Sequence, residues 1–361
     1  MYTFFTLLLL LILFLIYALS LPVFGGKQIG KRLERIISLS NYNKNLIENQ
    51  SVTPALAPDA NYWMLIKQMI KGNVNAFPKK ILPHVKPNFN RSEKLKITWF
   101  GHSSYFIQVN GKNILVDPVF SERTSPFQFL GSKSFSGTNF IKAEDFPELD
   151  IILITHDHYD HLDYLSILKL KHKTLQFITS LGVGAHLEKW GIQSNQIIEL
   201  VWDEKYTANT SLSFTATPAR HFSGRKFTRN QTLWSSFVLK TDQYSVFLGG
   251  DSGYDNHFKK IGETYGPFDL AILECGQYNK MWPLIHMFPK ETVQACLDLN
   301  ANRLLPVHWG KYKLALHNWD EPIIEVVKNA DERCLPIVTP KLGETFILEN
   351  DLPKEHWWLN L

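Results

Sequence analysis

Residues 150–163 read D-I-I-L-I-T-H-D-H-Y-D-H-L-D. Ile151 to Ile154 have the length and β-branched content of a buried strand, and from Thr155 the apolar run gives way to imidazoles and carboxylates. A strand thus delivers polar side chains at its end. His156, His158 and His161 offer neutral nitrogen donors, and Asp157 and Asp160 offer oxygen donors. The spacing of His156, His158, Asp160 and His161 suits a tight loop facing two cations, because one small ion cannot easily take all four from so short a segment. Imidazole with carboxylate is the ligand set expected of zinc, with iron or manganese as alternatives. A merely polar surface loop would not concentrate His156, His158 and His161 directly behind a buried strand.

Further ligands must come from other strand ends, and three residues stand there. His221 follows F-T-A-T-P in P-A-R-H-F, and His308 follows L-L-P-V in V-H-W-G. Asp251 follows V-F-L-G-G, where Gly249 and Gly250 are expected to let the backbone approach an ion. Any one of them alone would read as a structural histidine or a turn aspartate; the repeated pattern argues for a shared site. His102 and Asp117 close strands of an earlier hairpin region and are expected to hold a ligand imidazole in its tautomer. His286, in P-L-I-H-M-F-P, is a candidate to face substrate. His84, His172, His186, His257, His317 and His356 have no strand-end context and are expected on the surface or in packing.

The rest of the chain reads as strands in hairpins and then strands mixed with helices. Lys96–Phe100, Tyr105–Val109 and Lys112–Val116 are strands, the last two joined by the hairpin signal Asn110-Gly111. Phe120–Asn139 is a long aromatic loop of the kind that covers something. Behind the histidine strand, helices are expected at 164–171, 183–190, 255–265, 290–299 and 321–330, with strands between them. This order suggests two sheets face to face with helices outside.

At 361 residues, with 45% hydrophobic and 20% charged side chains, the chain has a globular composition. A formal charge of +4 with no long basic run argues against nucleic acid. Cys275, Cys296 and Cys334 are odd in number and far apart, and read as free thiols. Tyr2 to Phe24 is almost wholly apolar and uncharged, and is expected to cross a bilayer as a retained single-pass anchor, residues 1–25. Lys27, Lys31, Arg32, Arg35 and Lys44 follow it against Glu34 alone, which places the main domain on the cytoplasmic side. Residues 26–93 are expected to hold membrane-proximal helices and a linker. One of these, around Ile29 to Ile37, would lie on anionic headgroups or pack on its own domain. Asn41–Asn61 reads as the linker, Tyr62–Ile70 as a helix and 72–93 as extended chain. The main domain is expected at 94–350, with a tail at 351–361.

The motifs T-W-F-G-H-S-S (98–104), V-D-P-V-F-S-E-R-T-S-P (116–126), T-H-D-H-Y-D-H-L-D-Y (155–164), G-D-S-G-Y (250–254), G-P-F-D-L-A (266–271) and V-H-W-G-K-Y-K-L-A (307–315) carry a family likeness. The chain from about Lys94 to Leu348 resembles the metallo-β-lactamase fold, and within it the N-acylphosphatidylethanolamine-hydrolysing phospholipase D branch. The resemblance implies an α/β four-layer αββα sandwich of two mixed sheets, here behind an N-terminal transmembrane helix. It implies two zinc ions, one held by His156, His158 and His221, the other by Asp160, His161 and His308, with Asp251 bridging. Tyr159 and His286 would contact substrate, although Leu284 and Ile285 beside His286 are more apolar than the family pattern. The chain before Lys94 lies outside that pattern.

The expected activity is a phosphodiesterase of the phospholipase D type, in which a hydroxide bridging two metals attacks phosphorus and Asp160 is a candidate to handle the leaving alcohol's proton. Its partners would be a phospholipid substrate and the bilayer, and a homodimer is compatible with the sequence. Two other readings compete. The same site could act on a soluble phosphodiester, a lactone or an amide, since one fold hosts many hydrolases. A membrane-tethered protein could also bind metal without turning anything over.

Overall fold

The histidine strand is interior to its sheet, and that position explains its unbroken apolar run. Ile151 and Leu153 face one hydrophobic cluster while Ile152 and Ile154 face another, so both faces of the strand are buried. The computed structural model describes residues 2–361, the side chains of Thr3, Phe14 and Asn360 excepted. A small hairpin, β1 (Tyr42–Asn43) and β2 (Leu46–Ile47), precedes the two large sheets. The first of these takes β3 (Lys96–Trp99), β4 (Tyr105–Val109), β5 (Lys112–Val116), β6 (Leu149–Ile154), β7 (Thr174–Ser180) and β8 (Ile197–Leu200). The second takes β9 (Lys205–Asn209), β10 (Leu212–Thr217), β11 (Ser236–Thr241), β12 (Ser245–Leu248), β13 (Leu270–Glu274) and β14 (Leu304–Val307). The last strand, β15 (Thr345–Ile347), returns to the first sheet and pairs antiparallel with β3.

Both sheets are mixed. In the first, hairpins link β3, β4 and β5, and β5 through β8 run parallel. In the second, β9 to β12 are antiparallel, and β12, β13 and β14 are parallel. Their inner faces share one core, in which Ile97, Ile107, Ile114 and Leu153 meet Phe214, Phe237 and Leu248. Helices cover the outer faces. After α1 (Tyr2–Ser20), α2 (Gly30–Ile37) and α3 (Tyr62–Lys71), α4 (Tyr164–Leu170) and α5 (Gly184–Lys189) pack Ile167, Leu170 and Leu187 on Phe106, Ile152 and Phe177. On the other side α6 (His257–Tyr265), α7 (Pro289–Asp298) and α8 (Glu321–Glu332) contribute Phe258, Val293 and Ile323. The chain is therefore α/β with helices outside two facing mixed sheets.

The N-terminal anchor is corrected. Among the described residues no helix is long and apolar enough to cross a membrane. Pro22 opens a separate 3₁₀ turn, Pro22–Phe24, so the apolar run does not continue as one helix to Phe24. What remains is the 19 residues of α1, about 28 Å at 1.5 Å per residue, against a hydrocarbon core of about 30 Å. Residue 1 of the expected span lies outside the described residues. With the span goes the argument for a cytoplasmic-facing domain. The following helix packs on its own domain rather than presenting its basic face to headgroups: Arg32 binds Glu188 and Glu199, Arg35 binds Glu204, and Ile36 is buried with Trp234. The stretch read as a linker carries the β1–β2 hairpin, and Ile47 N–H donates to the Asn230 carbonyl at 3.0 Å.

Candidate metal centre

The parallel edge of each sheet ends at the same place, and the polar residues that end these strands converge there. His156, His158, His221 and Asp251 each offer an atom to one cluster, in which all such atoms lie within 4.8 Å of one another. His102, Asp160, His161 and His308 form a second cluster by the same measure. Asp251 stands between them: Oδ2 is 3.8 Å from His156 Nε2 and 3.6 Å from His221 Nε2, while Oδ1 is 3.2 Å from both His161 Nε2 and His308 Nδ1. His156, His161, His221, His308 and Asp251 are buried, whereas His158 and Asp160 reach the partly exposed side. Every residue expected to bind metal is thus in one place.

Hydrogen bonds fix which nitrogen His156, His161 and His221 present. The Asp117 carboxylate accepts the Thr155 N–H (2.8 Å), the Thr155 hydroxyl (2.7 Å) and His161 Nδ1–H (2.8 Å), which leaves His161 Nε2 as the nitrogen that faces the cluster. Thr155 Oγ1 in turn lies 3.0 Å from His156 Nδ1. His221 Nδ1–H donates to the Ile285 carbonyl at 2.8 Å. His102 Nε2 is 2.9 Å from Asp160 Oδ2 and orients that carboxylate; Ser103 Oγ is 2.9 Å from His308 Nδ1. Both supporting residues expected from the sequence, His102 and Asp117, lie against candidate ligands. His102, Asp117 and His308 have positive φ of 52°, 40° and 67°, backbone strain of the kind that clusters at functional sites.

The donor set fits a cation. His158 Nδ1 lies 3.0 Å from His156 Nε2 and 3.2 Å from His221 Nε2, although the other nitrogens of His156 and His221 already hold the donor protons. His158 Nδ1 carries at most one proton to share between these two inward lone pairs, whereas a cation among the three rings would satisfy all of them. Burial, reinforced by the neighbouring imidazoles, lowers the pKa of His156, His221 and His308, which keeps these rings neutral and able to ligate. Burial alone would lower His161 as well, but the carboxylates of Asp251, Asp160 and Asp117 more than offset it. Burial pushes Asp251 up to about 6. His161 Nε2, Asp251 Oδ1 and His308 Nε2 are buried without a hydrogen-bond partner, and such atoms call for an ion or water.

Two expectations change in detail. Asp157, inside the histidine motif, turns away from the cluster: its carboxylate accepts from Gly224 N–H (2.7 Å) and meets His186 Nε2 at 3.2 Å. Gly249 and Gly250 admit neighbouring strands rather than an ion, since a Cβ there would lie 2.6 Å from the Ile272 carbonyl oxygen and 2.8 Å from that of Ser235. Of the residues proposed to face substrate, Tyr159 lies under the Arg225 guanidinium (4.2 Å to the ring centroid), and His286 sits beside the cluster, 4.0 Å from Asp251. Sequence reasoning misses Glu274. It ends the apolar strand β13 just as Asp251 and His308 follow theirs, so the same signal could have found it. Its Oε2 is 2.7 Å from His286 Nδ1, and its Oε1 accepts from Ser252 N–H at 2.6 Å. Burial raises the Glu274 carboxyl and lowers the His286 imidazole, so this contact is a hydrogen bond in a dry site rather than an ion pair.

A family model described as a beta-lactamase superfamily domain matches residues 112–309, which contain every candidate ligand from His156 to His308. The chain belongs to the metallo-β-lactamase superfamily. It is a metal-dependent hydrolase of that superfamily, with relatives named as N-acylphosphatidylethanolamine-hydrolysing phospholipase D. An uncharacterized protein of Mycobacterium bovis is 36% identical over 301 residues, covering 82% of this chain and 80% of its own length. The N-acyl-phosphatidylethanolamine-hydrolyzing phospholipase D 1 of Caenorhabditis elegans is 31% identical, covering 65% of this chain and 71% of its own. Among solved structures, the metallo hydrolase Igni18 of Ignicoccus hospitalis superposes with a TM-score of 0.53 at 22% identity, covering 72% of this chain and 100% of its own, and speaks for the fold alone. In this superfamily member the strand ends of both sheets bring the candidate metal-ligating side chains to one edge, as ligands in open α/β sheets gather outside the carboxyl ends of strands.

Proposed function

We propose that this hydrolase cleaves the phosphodiester of N-acylphosphatidylethanolamine-like phospholipids on the headgroup side, releasing phosphatidic acid. The observation that carries the reading is the double cluster around Asp251, which offers places for two cations on a chain related to enzymes named for that reaction. His156, His158 and His221 would hold one zinc, Asp160, His161 and His308 the other, with Asp251 shared. Bound cations supply Lewis acidity that activates water near neutral pH and offsets charge developing on phosphoryl oxygens. The chain's own groups do the rest. Asp117 and Thr155 hold the imidazoles of His161 and His156 in their ligating tautomers. His102 fixes the Asp160 carboxylate on the partly exposed side, where it can take or return the proton of the leaving alcohol. Glu274 orients His286 through Nδ1, and among the described residues its Nε2 has no protein hydrogen bond, so that edge can meet a phosphoryl oxygen. Tyr159 is held beside the motif by donating its hydroxyl to the Arg225 carbonyl.

The test is turnover of N-acylphosphatidylethanolamine in mixed micelles by purified, zinc-loaded protein, with phosphatidic acid as the readout. Product is expected from the wild type and not from His156→Ala. No product from the loaded enzyme, or undiminished product from His156→Ala, would refute the proposal.

A further inference from the structure

His221 stands apart from the other candidate ligands because it follows the end of β10 after Pro218-Ala219-Arg220, where no strand neighbour is left to pair its backbone. Both of its backbone polar groups are nonetheless satisfied by a single side chain from far up the sequence. Asn49 Oδ1 accepts the His221 N–H at 3.0 Å, and Asn49 Nδ2 donates to the His221 carbonyl at 2.7 Å. A carboxamide carries one acceptor and one donor in the arrangement of a peptide group, so Asn49 replaces the missing strand. The buried indole of Trp234 also donates to Asn49 Oδ1, at 3.1 Å.

The segment around Asn49 is fastened at several points. Arg220, next to the candidate ligand, donates to Thr53 Oγ1 and to the Val52 carbonyl, both at 2.9 Å. Ala57 N–H donates to the Met281 carbonyl at 2.8 Å, on the loop that carries Ile285 and His286. Ile285 is the residue whose carbonyl receives His221 Nδ1–H. The backbone of His221 is therefore gripped from one side by residues 49–53 and its ring from the other by a loop that residue 57 also holds. All of these N-terminal residues lie outside the 112–309 stretch that defines the superfamily domain.

We propose that residues 49–57 are a built-in clamp on the metal centre and that Asn49 is a positioning residue for His221, setting the direction of its Nε2 and hence the affinity of the site for metal. The inference rests on the reading of His221 as a ligand. Loss of a group that orients a ligand typically weakens metal affinity about 10- to 100-fold.

The experiment uses the full-length chain carrying Asn49→Ala, Asn49→Asp, His221→Ala or, as a control, Ile36→Ala, which disturbs the same small hydrophobic cluster without a hydrogen bond to His221. Zinc affinity is measured by competition with a chromogenic chelator, and ligand geometry by the visible absorption of the cobalt(II)-substituted protein. Asn49→Ala is expected to weaken zinc binding by about 10- to 100-fold and to change the cobalt spectrum. Asn49→Asp keeps the shape and the acceptor but cannot donate to the His221 carbonyl, so it should fall between Asn49→Ala and wild type; it also carries the test if Asn49→Ala fails to fold. Ile36→Ala should lower thermal stability and leave affinity and spectrum unchanged. Wild-type affinity and spectrum in both Asn49 variants, with weakened binding in His221→Ala, would overturn the clamp alone. Wild-type binding in His221→Ala would overturn the ligand assignment beneath it.

Discussion

Replacing Asp117 by asparagine exchanges one carboxyl oxygen for an amide nitrogen beneath the candidate metal centre while preserving shape. Asparagine also tolerates the left-handed φ of 40° at this position. The carboxylate accepts three donors: Thr155 N–H, the Thr155 hydroxyl and His161 Nδ1–H. An amide has only one acceptor oxygen. If that oxygen faces His161, the amide N–H₂ meets the Thr155 N–H; if it faces Thr155, the N–H₂ meets His161 and drives the imidazole proton to Nε2, where it blocks a metal. With Asp117, Thr155 and His161 all essentially inaccessible to water, the mismatched donor costs about 1–3 kcal/mol of folding stability. Metal affinity should fall about 10- to 100-fold, equivalent to about 1.4–2.7 kcal/mol. Chemical denaturation of metal-free protein reports the first quantity and chelator competition the second. Wild-type zinc affinity in a folded Asp117→Asn variant would refute the claim that this carboxylate sets the His161 tautomer.

Lys311 is buried with its ammonium donating to the Val119 carbonyl at 2.7 Å, and burial lowers its pKa to about 7. Between about pH 7 and the ordinary lysine value the unfolded chain binds more protons than the folded one, so stability rises with pH there. Lys311→Met should flatten the wild-type rise of about 2 kcal/mol between pH 7 and 9, measured by denaturant titration at fixed temperature; parallel curves for the two proteins would contradict it. Glu274→Gln should lower turnover by at least about 10-fold while leaving metal content unchanged, because an amide can keep an oxygen toward Ser252 N–H while its N–H₂ replaces the carboxyl beside His286 Nδ1; loss of metal would refute a role confined to orienting His286. Removing metal with a chelator should lower Tm, since metal at about 100 times its Kd contributes about 2.7 kcal/mol to the folded state, and adding zinc should restore it. An unchanged Tm would mean that the cluster does not bind metal in the native fold.

Much of this molecule is legible along the chain because strand ends are local features. An apolar run such as Ile151–Ile154 announces a strand, and the first polar residues beyond it, from Thr155 to His161, must lie at one end of that strand whatever the rest of the fold does. The same reasoning picks out His221, Asp251 and His308, and alternation of strand and helix signals is enough to suggest two sheets with helices outside. It fails where two readings share one pattern. Tyr2 to Phe24 has the composition of a span, but Pro22 divides it into a helix and a separate turn. Asp157 and Asp160 look equivalent within the motif, yet their side chains leave the loop in opposite directions, one to Gly224 and His186, the other to His102.

The sequence by itself determined which residue types stand at the strand ends, and with them the chemistry available to the site, because side-chain alternation and apolar run length are set by neighbours along the chain. Only the tertiary structure decided how those side chains are aimed. Asn49 meets His221 across 172 positions and Glu274 meets His286 across a loop, while Asp117 reaches His161 from a neighbouring parallel strand. Such hydrogen bonds depend on distance and angle between segments that packing brings together, and nothing in the local order of residues encodes them.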